Sequence, residues 1–297
     1  MAVVAATIPV MEALISILFD GLAYAMLLFI ISVGLSVTMG LMGFVNLAHG
    51  AFAMVGGYVL VTLMTSHGVP FVAALALAPV IVGIGSIPFE RFLYAPLYKA
   101  GELDQVLLSI GLVFVTIGVV TFIYGPAPPA IPMPEFLTGQ VNLGFREVPT
   151  YRFFIILIGC VMMAILWFAF ERTLLGAKIR AAVDNRQMAQ SVGIDVDRLF
   201  VLVFAIGSGL AALGGGLAIE IVGMSPTFAI QYLVFFLIVV AVGGLGSMGG
   251  AFVAAIVLGV LDTAGKYLWP DGGAFFIYAA TVAILLYRPA GLFGRTS

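Results

Sequence analysis

Charge is what this chain lacks. Its twelve basic and fourteen acidic residues make up only 9% of 297, against 63% hydrophobic. They are spaced so that nine apolar runs lie between them, near residues 11–35, 48–66, 70–89, 104–124, 152–170, 199–222, 231–247, 250–268 and 274–288. A soluble domain carries about 25% charged residues, so water would find too little polar surface here. Hydrocarbon does not hydrogen-bond, so a spanning segment must satisfy its own backbone, and runs of about 20 apolar residues do so as helices. A β-barrel would need alternating segments of about ten residues. The expected fold is an all-α integral membrane protein, a polytopic helical bundle of about 8–9 transmembrane helices with broken or re-entrant segments.

The same scarcity excludes other classes. Basic and acidic residues nearly balance, which leaves no electrostatic footprint for nucleic acid. Cys160 is the only cysteine, so neither a disulfide framework nor a cysteine-rich metal site is available. No Lys or Arg precedes the first apolar run, which predicts a retained span rather than a cleaved signal peptide.

Basic residues also orient the chain. The loop 171–198 holds Arg172, Lys178, Arg180, Arg186 and Arg198. Placed in the cytoplasm, it brings Arg91, Lys99, Arg288 and Arg295 to the same side by alternation, leaving Arg146, Arg152 and Lys266 outside. The N-terminus is then outside and the C-terminus cytoplasmic, which requires an odd number of spans. Segments 36–47 and 231–250 are the points where glycine could turn a span into a re-entrant one. The outer stretch 125–149 contains Pro126, Pro128, Pro129, Pro132 and Pro134 and is expected to be a stiff extended cover, not a helix.

Within the loop 171–198, the run Ala177 to Gln190 has good helix formers, and Gly193 suits a helix C-cap. One amphipathic helix is expected, with Ile179, Ala182, Val183 and Ala189 on its apolar face. Such a helix, held between two spans, can be moved by a soluble partner or can lie on lipid headgroups. Elsewhere Gly207, Ala211 and Gly215 form a stripe suited to close helix contact. Gly243, Gly244, Gly246, Gly249 and Gly250 are expected to break a helix or allow close packing. Gly244 to Gly249 fits a dinucleotide fingerprint, but apolar spans flank it where a strand and a helix are required.

Polar groups in spans are costly and often functional. Asp20, Asn46, His49 and Glu220 are the candidates to line a pathway. Asn46 and His49, three residues apart, are expected first to cap the helix or clamp the break 36–47, and otherwise to line the inner half of the pathway. Asp262 and Lys266, four apart, are expected to pair. Phe89-Glu90-Arg91 and Phe170-Glu171-Arg172 form a faint internal echo.

One further pattern spans the chain. Gly40 to Gly50 with Gly56-Gly57-Tyr58, then Glu171-Arg172-Thr173, Gly176, Ile179-Arg180-Ala181, Ala189 to Ile194, Gly243 to Gly250 and Arg288 to Gly294 resemble, in order, the blocks of LivH-type permeases. These are membrane subunits of ABC importers for branched-chain amino acids and related small solutes. The resemblance implies a single permease domain over 1–297. It also implies a second, LivM-like permease, two cytoplasmic ATPase subunits, a periplasmic substrate-binding protein and a bacterial inner-membrane location. Gly176, Arg180, Ala181, Ala189 and Gly193 would then couple the loop to the ATPase. Ala181-Ala182 follow Arg180 here, where older permease classes often place Glu before paired alanines, so the loop matches in part. No G-x-x-x-x-G-K-[ST] occurs, since the single Gly-Lys, Gly265-Lys266, precedes Tyr267. No cofactor of its own is expected, and ATP would be bound by the partner subunits. A secondary transporter of small amino acids is the alternative, although it would need carboxylates deeper than these.

Overall fold

Helix α1 runs from Ala2 to Met42, and its final residues extend the first apolar run through the expected break. The chain reverses only at Gly43 (φ 61°). The computed structural model describes residues 2–44, 46–98, 100–129, 131–142 and 147–294, with side chains from Glu12 onward. Lys99, Arg146 and Arg295, used above to orient the chain, lie outside the described residues. After α2 (His49–Thr65) and α3 (Phe71–Phe89) come a π-helical turn, Glu90–Tyr94, and a 3₁₀ turn, Ala95–Leu97. Pro88 explains the π turn: it has no N–H to donate, so the ladder loses a bond and the next turn widens.

Helix α4 (Glu102–Tyr124) leads to the outer stretch. That stretch is extended only in part. It also holds a four-residue helix, α5 (Glu135–Thr138), and an antiparallel ribbon of β1 (Gln140–Asn142) and β2 (Glu147–Pro149). The prolines forbid a long helix but not these short elements. There follow α6 (Thr150–Arg172), α7 (Leu174–Asp184), α8 (Arg186–Ser191), α9 (Val196–Val222), α10 (Phe228–Gly243), α11 (Met248–Leu268) and α12 (Phe275–Tyr287). Among the described residues, six helices are long and apolar enough to cross a membrane, and three more, α2, α10 and α12, are apolar but shorter.

Small residues decide which helices reach the centre. Helix α9 packs on α1, α2 and α3, and α1 also lies along α11. A Cβ at Gly34 would stand 2.5 Å from the Gly207 carbonyl oxygen, and one at Gly209 would stand 2.9 Å from that of Pro79. Tyr151 ties α6 to the same hub by donating to the Leu217 carbonyl at 2.8 Å. The outer helices behave differently. Phe114, Val115 and Phe122 on α4 and Leu157, Ile165 and Phe168 on α6 are exposed. Water would not tolerate so much bare apolar surface, whereas lipid tails favour it.

Candidate functional site

The loop 171–198 folds as two helices, not one. Thr173 caps α7 by accepting the Gly176 N–H at 3.3 Å. A side chain at Gly176 would overlap the Phe170 carbonyl, so α7 can fold back on the end of α6 only through glycine. Arg180 locks that corner by donating to the Phe170 carbonyl, and it lies 3.9 Å from Glu171. The expected continuous helix is interrupted at Asn185, whose side chain accepts the Met188 N–H at 2.9 Å and caps α8. Asparagine competes with the helix for backbone partners, and here it wins. Ile179, Ala182 and Ala189 are buried as expected, but Val183, on the same helix as Ile179 and Ala182, is exposed. Ala181, half-buried, packs against the same core.

Gly193 ends α8 with φ +87°. Its N–H bonds the Gln190 carbonyl and that of Ile194 bonds Ala189, both at 3.0 Å, the two bonds of a Schellman cap. Asp195 then caps α9 through the Arg198 N–H. Arg186 joins α8 to α9, 3.0 Å from Asp197 and 4.7 Å from the centre of the Phe200 ring.

From Phe200 an aromatic chain runs inward. Tyr98 lies 5.2 Å from Phe200 and 6.0 Å from Phe44, and Tyr94 lies 5.0 Å from Phe44 and 4.8 Å from Phe204. Tyr98 donates to Glu90 Oε1 at 2.6 Å. Burial, with that bond, holds its hydroxyl far above the usual phenol range, so it stays a donor. Tyr94 donates to Asn46 Oδ1 at 2.9 Å, which also accepts the Ala48 N–H. His49 reaches from the start of α2 to the Ile31 carbonyl at 2.9 Å, which requires the proton on Nε2. Asn46 and His49 are thus buried clamps on the break between α1 and α2 and line neither of the large cavities described below. Asn46→Ala would orphan Tyr94 and the Ala48 N–H together. A loss of about 1–3 kcal/mol is expected, read as a lowered melting temperature in detergent.

Glycines close the same end of the bundle. Gly244 (φ +95°) and Gly246 (φ +75°) turn the chain between α10 and α11, and Ser247 caps α11 through the Gly250 N–H. Gly40 packs directly on Gly246, and Gly243 on Gly250. The tail after α12 finishes the corner: Leu292 N–H bonds the Val242 carbonyl at 2.7 Å and Phe293 N–H bonds that of Gly243 at 3.2 Å. Orphan carbonyls of α10 are satisfied by a segment about 50 residues away. Gly249 is the exception to the expected roles, since open space surrounds the position its side chain would take.

Two cavities flank the α7–α8 element. One, of about 950 Å³, lies between α7, the ends of α1 and α6, the glycine turn and the tail. The other, of about 880 Å³, lies between the Glu90–Tyr98 segment, α8 and the start of α9.

The remaining candidates sit elsewhere. Asp20, partly exposed, forms an ion pair with Arg152 between α1 and α6. Glu220 is exposed in the last turn of α9. Asp262 and Lys266 pair at 2.5 Å, with Asp262 buried and Lys266 half-exposed. That asymmetry fixes an order: Lys266→Ala strands a buried carboxylate, whereas Asp262→Ala leaves an ammonium that can reach water. The lysine variant is expected to melt lower, by roughly 1–3 kcal/mol, and the double variant to recover part of the loss. The echoed Glu90 and Glu171 differ, the first buried and the second exposed.

A lipid-facing shell, a small-residue hub and a capped polar element between two apolar helices define a polytopic helical membrane protein. The chain belongs to the branched-chain amino acid transport system / permease component family, whose model matches residues 17–285. It is 26% identical to the high-affinity branched-chain amino acid transport system permease protein BraD of Pseudomonas aeruginosa, over 94% of this chain and 95% of that one. The LivH permease protein of Salmonella typhimurium is likewise 26% identical, over 94% of each chain. The LivM permease protein of Escherichia coli is 25% identical over 91% of this chain and 68% of its own. The LivH-type resemblance read from the sequence blocks is therefore sustained along almost the whole chain.

Proposed function

We propose that the chain is one permease domain of an ABC importer in the bacterial inner membrane and carries branched-chain amino acids or related small solutes. The family match over 17–285 supports this reading most directly. The α7–α8 element adds a mechanical reason. It is tied to α6 through Thr173, Gly176 and Arg180 and to α9 through Arg186, so a push on it is delivered to a peripheral span and to the central one. Two cytoplasmic ATPase subunits bind ATP and move this element. A second, LivM-like permease completes the pathway, and a periplasmic binding protein delivers the solute. If α2, α10 and α12 cross together with the six long helices, the crossings are nine and the termini lie on opposite sides; the basic loop 171–198 then argues for the N-terminus outside and the C-terminus inside.

The test is reconstitution. The chain alone, and the chain with its ATPases, second permease and binding protein, are placed in liposomes and uptake of labelled leucine is followed. Accumulation is expected only from the full set with ATP. Uptake by the chain alone, indifferent to ATP, would overturn the importer reading.

A further inference from the structure

Helix α4 packs on α2 but has no comparable contact with its chain neighbour α3. A cleft of about 240 Å³ lies between the three helices. Its α3 wall is the stripe Ile81, Gly85 and Phe89, at helical spacing, and Leu112 and Thr116 of α4 line it from the other side. Ile81 and Phe89 are exposed, so the cleft opens outward onto the surface that the lipid-facing shell presents. Gly85 keeps the space, since a Cβ there would meet nothing within 4 Å.

The lining selects an apolar occupant. Ser86 and Thr116 are its polar side chains, and each spends its hydroxyl proton on its own helix. Ser86 donates to the Gly83 carbonyl at 2.8 Å and Thr116 to that of Leu112 at 2.7 Å. A buried water wants about two to four polar partners, and a charged solute needs them more. Neither finds them here. Depth points the same way. Along α2 the lining runs from Ala48 to Val59, about 16 Å at a rise of about 1.5 Å per residue. The hydrocarbon core is about 30 Å thick, so the cleft spans the depth of a single leaflet.

We infer that the cleft between α3 and α4 binds an acyl chain of a phospholipid from the leaflet on the α7–α8 side. Hydrocarbon around the protein offers the chain no hydrophobic gain, so the attraction is van der Waals packing against walls on several sides. The chain then joins α4 to α3, which the protein's own side chains do not. It also bears on Phe52, whose ring lies 6.4 Å from Phe89 and 5.6 Å from Phe204. Phe204 belongs to the aromatic chain that leads to α8, so the lipid supports that path from outside the bundle. The inference needs the membrane location alone and stands apart from the importer reading.

The experiment is native mass spectrometry of the whole chain purified from membranes in detergent. Wild type is compared with Gly85→Phe, whose ring fills the cleft, and with Gly118→Phe, which adds the same ring where nothing lies within 4 Å on α4. Wild type and Gly118→Phe are expected to retain about one phospholipid per chain that Gly85→Phe lacks. Equal retention by all three, or a wild type that carries detergent alone, removes the site. Should Gly85→Phe fold poorly, the wild type gives the answer in phosphatidylethanolamine vesicles that hold a trace of a lipid with a photoreactive acyl chain. After transfer to detergent and then illumination, adducts are expected on 85–89 and 112–116 but not on Phe122, which is exposed to bulk lipid. Adducts that also mark Phe122, or that miss both lining segments, reveal ordinary solvation and refute the site.

Discussion

Replacing Gly215 by leucine is expected to abolish the folded permease. A side chain there would overlap the Ala53 carbonyl of α2, and the obstacle is backbone, which cannot rotate aside. Relief by shifting α9 is blocked from its other faces, where Gly207 meets Gly34 of α1 and Gly209 meets Pro79 of α3. Overpacking a well-filled core costs about 1–3 kcal/mol when side chains can adjust. Here three helix crossings would have to open together, so the cost lies at or above the top of that range. The measurement is the yield of monodisperse protein and its melting in detergent. Gly118→Leu on α4 is the control: nothing lies within 4 Å of its side-chain position, and leucine has the better helix propensity. Equal yields from the two variants would refute the hub role of α9.

The second large effect is expected at Gly193, and it is of another kind. Open space surrounds its side-chain position, so bulk alone is harmless there. The constraint is φ +87°, which a β-branched residue resists. Gly193→Val should unwind the cap that joins α8 to α9, at a cost of about 1–2 kcal/mol. Because the cap lies outside the packed spans, melting should change little, while ATP-driven leucine uptake falls roughly tenfold or more. Gly193→Asn should retain uptake, since asparagine tolerates the left-handed region. If valine transports as well as asparagine, the backbone of this cap has no part in coupling.

These two glycines mark the boundary between what could be read in advance and what could not. The stripe Gly207, Ala211, Gly215 announces a close crossing by spacing alone, yet nothing local names Ala53 and Gly34 as the backbones it meets. Gly193 was legible as a cap because helix termination is a local event, completed within residues 189–194. The break at Asn185 was equally local and was missed, because helix periodicity on both sides masks a single competing side chain. Asn46 and His49 remained ambiguous for the opposite reason: their partners, Tyr94 and Ile31, lie 48 and 18 residues away. Asp20 was one candidate to line a pathway, and only the fold shows that α6 brings Arg152 beside it. Glu90 gave only a faint echo of Glu171, and nothing in that echo signalled a buried acid.

By itself the sequence determined the solvent. With 9% charged residues the chain must face lipid, and its apolar runs of about 20 residues satisfy their own backbone there as helices. It also marked some helix ends, such as the cap at Gly193, where the signal acts within a few residues. Tertiary structure alone decided which helix lies at the centre and which polar groups are spent on one another. Those outcomes depend on contacts between distant segments, and local chain chemistry carries no record of which segments will meet.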